Sequence, residues 1–315
     1  MDLHRTEDPG IGTSFERPLE RLMAADGSFR VKRVGGSSGL REAFIWLVSI
    51  PGWKLVLVLL CAYGSMNFLF GSVYMLIGVE HIGNANGATL VGRWTSALGM
   101  SIQTLTTVGY GSLYPNSPLA WAICSVEGMF GILGFSLISA ILYSRFARPT
   151  ARLAYSEHAL IAPFKDGWSL QMRMANRRSS ILMEVKVRML LVMADVDDQG
   201  ERLNYYNLPL QIDKVSFMPL SWTLVHPIDA DSPLAGRTHA ELKDRRAEIL
   251  VIVMGIDEGY MQSVYTRRSY RHDQLRWGAR FARAFGSKDG MMHLYLDKLD
   301  ETMPVEAPER MLAPA

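Results

Sequence analysis

Thr104-Leu105-Thr106-Thr107-Val108-Gly109-Tyr110-Gly111 lies between two long apolar segments of a 315-residue chain, and its reading decides the fold. A dehydrated cation needs a cage of oxygens. Backbone carbonyls supply one if successive C=O groups point to one side instead of alternating as they do in a strand. Such conformations require φ > 0 at some positions, which Gly109 and Gly111 reach at little steric cost. One chain supplies one strip of carbonyls, so a closed ring demands several copies about an axis. The bland alternative is a Gly-Tyr-Gly turn in an ordinary loop.

Thr107 to Gly111 resembles the selectivity filter of potassium channels. The resemblance implies that Thr107, Val108, Gly109 and Tyr110 turn carbonyls toward K⁺, with the Thr107 hydroxyl as an innermost ligand. Val108 and Tyr110 then point away from the ion and brace the loop. It also implies four copies around the ion, with K⁺ as the permeant species and no resident cofactor.

The apolar flanks carry the next step. From Leu55 to Val79 there is no charged residue, enough helix to cross a hydrocarbon core of roughly 30 Å. Trp53 and Lys54 at its start suit an interfacial anchor. Gly64, Gly71 and Gly78 recur every seven residues and would allow close helix contact. The second span is expected from about Pro118 to Tyr143, with Gly128, Gly131 and Gly134 forming a slim face. Its one charge, Glu127, is expensive at that depth and should have a partner. We place it behind the filter, hydrogen-bonded to the pore helix; the alternative is a carboxylate near the outer headgroups. Thr95 to Leu105 is too short to span and suits a helix that dips in and returns through the filter.

Upstream, Leu40 to Ser49 is amphipathic and suits the membrane surface, with Pro51-Gly52 as a bend before the first span. Residues 1–28 read as a mobile tail, with Phe29 to Arg33 as a possible edge strand. Arg30, Lys32, Arg33, Arg41 and Lys54 precede the first span, and Arg145, Arg148 and Arg152 follow the second. The positive-inside rule therefore puts both termini in the cytoplasm and the filter near the outer face of a plasma (inner) membrane, in a multi-pass protein.

After residue 150 the pattern changes to period two. Met183, Val185, Val187, Met189, Leu191 and Met193 share one face of an expected strand, with Glu184, Lys186 and Arg188 on the other. Further strands are expected near His158–Pro163, Trp222–Val225, Glu248–Ile256 and Met291–Leu296, and a helix at Thr238–Arg245. The expected fold is a membrane α-helical pore, of two transmembrane helices plus a pore helix, with a C-terminal cytoplasmic immunoglobulin-like β-sandwich. Its expected divisions are a tail at 1–35, a pore domain at 36–150, the sandwich at 151–300 and a disordered tail at 301–315.

Composition agrees. A mean hydropathy of +0.07 is too polar for a chain wholly in a bilayer. Net charge is +2 with dispersed basic residues and no recognition motif, which disfavours nucleic acid as a partner. Cys61 and Cys124 both fall in apolar segments, so neither a disulfide framework nor a thiolate metal site is expected. His226, Asp229 and Asp231 match no metal or nucleophile spacing, and enzyme chemistry is not expected.

Several runs resemble the inward-rectifier potassium channels, particularly their prokaryotic branch. They are Tyr143-Ser144-Arg145-Phe146-Ala147-Arg148-Pro149, Asn176-Arg177-Arg178, the stretch from His226 to Leu234, Tyr270, and Leu275-Arg276-Trp277-Gly278. The likeness covers about residues 29 to 297. It implies a homotetramer whose β-rich domain prolongs the pore. By position, Tyr143 matches a bundle-crossing gate. Phe135 sits where strong rectifiers carry an acidic residue for Mg²⁺ or polyamine block, which predicts weak block here. Glu184 and Glu258 match acidic positions of the cytoplasmic pore, with Asp257 adjacent, and Gly259 to Tyr265 matches the loop that narrows it. Arg145, Arg148, Arg152, Arg178 and Arg188 match contacts to anionic or phosphoinositide lipid, and Lys54 joins them at the first span. Thr150 and Ala151 replace two lysines of that pattern. Gln103 and Leu113 replace an acidic and basic pair behind the filter, leaving Gln103 and Glu127 as the candidate supports.

Plainer roles stay open for these charges. The arginines after the second span would serve as topology signals alone, Glu184 would pair with Lys186 or Arg188, and Tyr143 would be an interfacial anchor. As a whole, the chain is expected to be a lipid-modulated inward-rectifier-type channel. The alternative is a poorly conducting membrane sensor whose sandwich binds lipid or a partner.

Overall fold

A computed structural model describes residues 5–15, 21–24, 27–29, 31, 35, 39–147, 152–197, 200–306 and 311. The chain divides into two compact units, Gly35–Arg148 and Met1–Val34 with Pro149–Ala315. The described residues before Val34 thus group with the β-rich unit.

In the helical unit, α1 (Leu40–Ser49) is followed by Ile50-Pro51 and then α2 (Gly52–Ile77). Pro51 lacks the N–H that would continue a helix from α1, so a new one starts there. Val48, Ile50, Leu55 and Ile141 bury this corner, while Ile45 and Trp46 stay open on α1. The pore helix α3 (Leu90–Leu105) starts five residues earlier than expected, because the Thr89 hydroxyl caps Gly92 N–H at 3.0 Å. The second span is α4 (Pro118–Phe146), with Ser117 capping Ala120 N–H and Pro118 in its first turn. Among the described residues two helices, α2 and α4, are long and apolar enough to cross a membrane. Many of their side chains, such as Leu57, Leu60, Ile132 and Leu133, are exposed in the single chain.

Glycine shapes the contacts among the three helices, but not in the periodic rows the sequence suggests. A Cβ on Gly71 would meet Leu98 Cδ2 at 2.8 Å, and one on Gly131 would meet the Leu105 carbonyl oxygen at 2.4 Å. A Cβ on Gly64, Gly128 or Gly134 would meet nothing within 4 Å, and Gly78 caps α2 at φ +100°.

The β-rich unit is a sandwich. One sheet runs Arg5–Thr6, Gly200–Asn207, Leu182–Asp197, Glu248–Asp257, Gln262–Arg271, with Lys214–Met218 and Ser14–Phe15 as side additions. The other runs Ser221–Ile228, Gly167–Asn176, Ala159–Phe164, Leu275–Trp277, with Leu153–Tyr155 added. Ile161, Leu170, Met172 and Met174 from the second sheet meet Val185, Val187, Met189 and Leu191 from the first, so period-two patterning becomes the core. The short helix α5 (His239–Asp244) is capped by Thr238.

Three expectations are corrected. Within the expected mobile tail at 1–28, the described strands Arg5–Thr6 and Ser14–Phe15 do not stand free but pair with Gly200–Asn207. In the 301–315 tail, Thr302–Pro304 pairs with Ala279–Phe281, and Met311 is fully buried in the sandwich core. Met183 does not share the inner face. Met254 pairs with Lys186 and Ile256 with Met183, so Gly255 faces two residues in a bulge where Glu184 adopts φ +49°. The bulge shifts the alternation and Leu182 becomes the buried neighbour. Most of Phe29 to Arg33, the suggested edge strand, lies outside the described residues; Phe29 itself forms an isolated bridge with Met23.

Candidate ion-conduction site

The stretch from Thr104 to Gly111 reverses direction at the C-terminus of α3. Val108 N–H and Gly109 N–H both donate to the Gln103 carbonyl, at 3.0 and 3.2 Å, folding the chain back against the helix end. Thr107, Gly109 and Gly111 have φ of +60°, +58° and +77°. The glycines are the positions expected to do this; Thr107 is not, since a β-branched residue rarely adopts positive φ. Tyr110 is 76% exposed in the single chain, and Val108 is also open.

The loop is held from behind. Gln103 Nε2 donates to the Leu113 carbonyl at 2.6 Å, linking the helix to the strand that leaves the loop. Asn84 Nδ2 donates to the Ser112 carbonyl at 3.2 Å. Ile82–Gly83 pairs with Tyr114–Pro115, and a Cβ on Gly83 would run into the Tyr114 ring. Glu127 is fully buried; its Oε1 accepts from Ser101 Oγ at 2.5 Å and its Oε2 from Tyr74 OH at 2.9 Å. Tyr74 is on α2, Ser101 on α3 and Glu127 on α4, so one carboxylate joins all three helices. The sequence supplies Glu127 and Gln103 as candidates. It leaves Tyr74, Ser101 and Asn84 unmarked, because an ordinary hydroxyl or amide shows its partner only once helices are in register.

Below the loop, an apolar cleft of about 630 Å³ runs between α2 and α4, lined among others by Leu59, Met66, Thr107, Phe130, Phe135 and Ile138. Phe135 and Tyr143, the expected gate positions, are both largely exposed on α4.

The basic positions separate into different environments. Lys54 is exposed beside the Trp53 ring at 5.4 Å. Arg145 lies against the start of α2, its Nη2 3.8 Å from the Cβ position of Gly52; its Nη1 is buried with no hydrogen-bond partner among the described residues. Arg148 falls outside the described residues. Arg152 and Arg188 are exposed. Arg178 is engaged within the fold, 3.9 Å from Asp257 and against the Tyr260 ring.

The acidic trio also divides. Glu258 is exposed. Glu184 pairs with Lys214, not with Lys186 or Arg188, because the bulge turns it toward the neighbouring strand. Asp257 is corrected as a lining residue. It is 0% exposed, and its carboxylate accepts from Gly259 N–H at 2.9 Å and Ser180 Oγ at 3.2 Å, so it holds the turn from inside.

The run from His226 to Leu234 is structural as well. His226 Nδ1 lies 2.7 Å from the Pro209 carbonyl and Nε2 lies 2.8 Å from Ser232 Oγ, locking the loop after Ser221–Ile228. Asp229 and Asp231 are exposed, and no group of metal-ligating side chains occurs among the described residues. Tyr270 donates to the Ser156 carbonyl at 2.8 Å, and burial raises its pKa.

Comparison with known proteins places these features. Residues 153–314 match the inward rectifier potassium channel C-terminal domain, and residues 56–148 match the ion channel family. The inward rectifier potassium channel Kirbac3.1 of Paramagnetospirillum magnetotacticum is 33% identical over 286 residues, covering 89% of this chain and 95% of that one. The ATP-sensitive inward rectifier potassium channel 15 of Mus musculus is 28% identical, covering 86% and 78%, and that of Rattus norvegicus is 28% identical, covering 86% and 72%. With two apolar helices, a reversing loop held between them and a β-sandwich, the chain belongs to the inward rectifier potassium channel family, as a membrane ion channel and not an enzyme.

Proposed function

We propose that the chain is one subunit of a homotetrameric channel that passes K⁺ through a ring of four Thr107–Gly111 strips. The observation that carries this is the backbone of the reversing loop. Positive φ at Thr107, Gly109 and Gly111 turns residues out of strand alternation, as a one-sided strip of carbonyls requires. The anchoring by Gln103, Asn84 and Glu127 supports it, since a filter has to resist collapse when an ion leaves. Open apolar flanks on α2 and α4, and the cleft beneath the loop, support assembly with further copies.

Tyr143 and Phe135 are the gate in this reading, and Phe135 carries no charge, so Mg²⁺ or polyamine block in the membrane section is weak. Glu184 and Glu258 concentrate cations in the β-rich part of the pore, Glu184 with its charge offset by Lys214. Lys54, Arg145, Arg152 and Arg188 are the contacts for anionic lipid, together with Arg148. Arg178 is a brace for the turn at Asp257 and not a lipid contact. Both termini are cytoplasmic. Uptake of ⁸⁶Rb⁺ by liposomes holding the purified protein, with and without competing Na⁺ and anionic lipid, tests this reading.

A further inference from the structure

The strip from Thr107 to Gly111 is held differently at its two ends. At the inner end, Val108 N–H and Gly109 N–H share the Gln103 carbonyl. At the outer end, Tyr110 and Gly111 make no hydrogen bond among the described residues, and a Cβ on Gly111, at φ +77°, would meet nothing within 4 Å. The position of that end is therefore set by the residues that follow it without a gap, Ser112 to Tyr114.

Those residues are tied to separate parts of the helical unit. The Ser112 carbonyl accepts from Asn84 Nδ2 at 3.2 Å and the Leu113 carbonyl from Gln103 Nε2 at 2.6 Å, so successive carbonyls are taken by different elements. The Leu113 side chain packs into the cluster of Phe70, Tyr74, Ala97 and Met100. Tyr114 lays its ring on Gly83, where any Cβ would collide with it. The loop after α2 runs antiparallel to this segment: Ile82 and Gly83 pair with Pro115 and Tyr114, and Asn116 N–H donates to the His81 carbonyl at 2.8 Å. Asn84 ends the pairing at φ +60°, a conformation that asparagine adopts more readily than most residues, and its amide reaches back to Ser112.

We propose that Gly83 and Asn84 are positioning residues for ion selection. They fix Tyr114 and Ser112, and through them the carbonyls of Tyr110 and Gly111, at the separation K⁺ requires when few ions are present to hold the strip in shape. Gly83 supplies a seat without a Cβ, and Asn84 supplies the side-chain donor that reaches Ser112. Gln103 is engaged at the inner end and at Leu113, so it does not replace that donor. The inference rests on the channel reading and adds to it a dependence on K⁺: with the outer hold weakened, the strip loses its selective shape in K⁺-free solution and regains it when K⁺ returns.

The test uses the full chain in liposomes preincubated in K⁺-rich or K⁺-free solution, after which ⁸⁶Rb⁺ and ²²Na⁺ uptake are read in one common buffer. Asn84→Gly removes the amide and keeps the left-handed backbone; Gly83→Ala puts a methyl group under the Tyr114 ring. Wild type should give the same ⁸⁶Rb⁺-to-²²Na⁺ ratio after either preincubation. In both variants the ratio should fall at least about fivefold after K⁺-free solution and recover on return to K⁺. A merely structural role lowers tetramer content and leaves the ratio independent of preincubation, which overturns the assignment. If Gly83→Ala fails to assemble, Asn84→Gly decides, since the side chain it removes is exposed. Wild type that admits both ions alike, or neither, overturns the channel reading and this inference with it, whereas a selective wild type with an unaltered Asn84→Gly overturns the inference alone.

Discussion

Ser101 Oγ donates to Glu127 Oε1 across 2.5 Å, tying the pore helix to the second span at a point fully shielded from solvent. A hydroxyl has one proton, so the 3.2 Å contact from Ser101 to Asn67 Oδ1 is secondary. Tyr74 completes the site from α2.

Glu127→Ala takes the acceptor of the buried Tyr74 hydroxyl, at about 1–3 kcal/mol, and leaves Ser101 only its longer contact to Asn67 Oδ1. Thermal unfolding in detergent should fall clearly below wild type. Tyr74→Phe and Ser101→Ala are milder, and their double mutant should lose less than the sum, because both donors share one carboxylate. Strict additivity would contradict the shared site.

Gly131→Ala puts a methyl group against the Leu105 carbonyl at a distance no relaxed packing allows, and both atoms sit on helices that cannot swing aside. Loss of folded protein on size-exclusion chromatography is expected. Gly64→Ala meets nothing within 4 Å and should be neutral or stabilising by up to about 1 kcal/mol through helix propensity.

The three acidic residues of the β-rich unit should separate by assay. Asp257→Ala strips a buried acceptor from Ser180 and Gly259 and should destabilise by about 1–3 kcal/mol. Glu258→Gln should leave the melting temperature unchanged and lower K⁺ conductance at low ionic strength. Lys214→Ala should also leave stability within about 1 kcal/mol, since its pair with Glu184 is exposed, and should raise that conductance.

Burial lowers the pKa of His272; Asp273 opposes the shift, while Arg271, His239 and Lys243 add to it. Between the two values the unfolded chain binds more protons than the folded one. The stability contribution is therefore full above the unfolded value of 6.5 and declines as pH falls below it. Melting curves of the full chain at about pH 7.5 and pH 5.5 should show a smaller difference in His272→Gln. An identical difference would contradict the assignment.

Much of the architecture is legible in the residues, and the gaps have physical causes. Apolar length marks the two spans, the second interrupted by Glu127, and alternation marks the strands. Neither pattern reveals a bulge, so Met183 reads as an inner residue until Glu184 is seen in a left-handed conformation. Side-chain type marks Glu127 as needing a partner, yet Tyr74 and Ser101 become visible only when three helices are brought together. Asp257 and Glu258 are adjacent in sequence and look alike there, but the turn at Gly259 buries the first and exposes the second. A charged, glycine-containing N-terminus reads as mobile because the partners of Leu22 and Met23, Glu248 and Ser269, lie more than two hundred residues away.

Gly109 adopts φ +58°, a conformation that costs an alanine roughly 1–2 kcal/mol and that four subunits would have to share. The decisive measurement compares ⁸⁶Rb⁺ and ²²Na⁺ uptake into liposomes for wild type and Gly109→Ala at matched tetramer content. Wild type should take up ⁸⁶Rb⁺ and exclude ²²Na⁺, and Gly109→Ala should lose the uptake or the discrimination while still assembling. Equal entry of the two ions into wild-type vesicles, or full selectivity retained by Gly109→Ala, would contradict conduction through the Thr107–Gly111 strip.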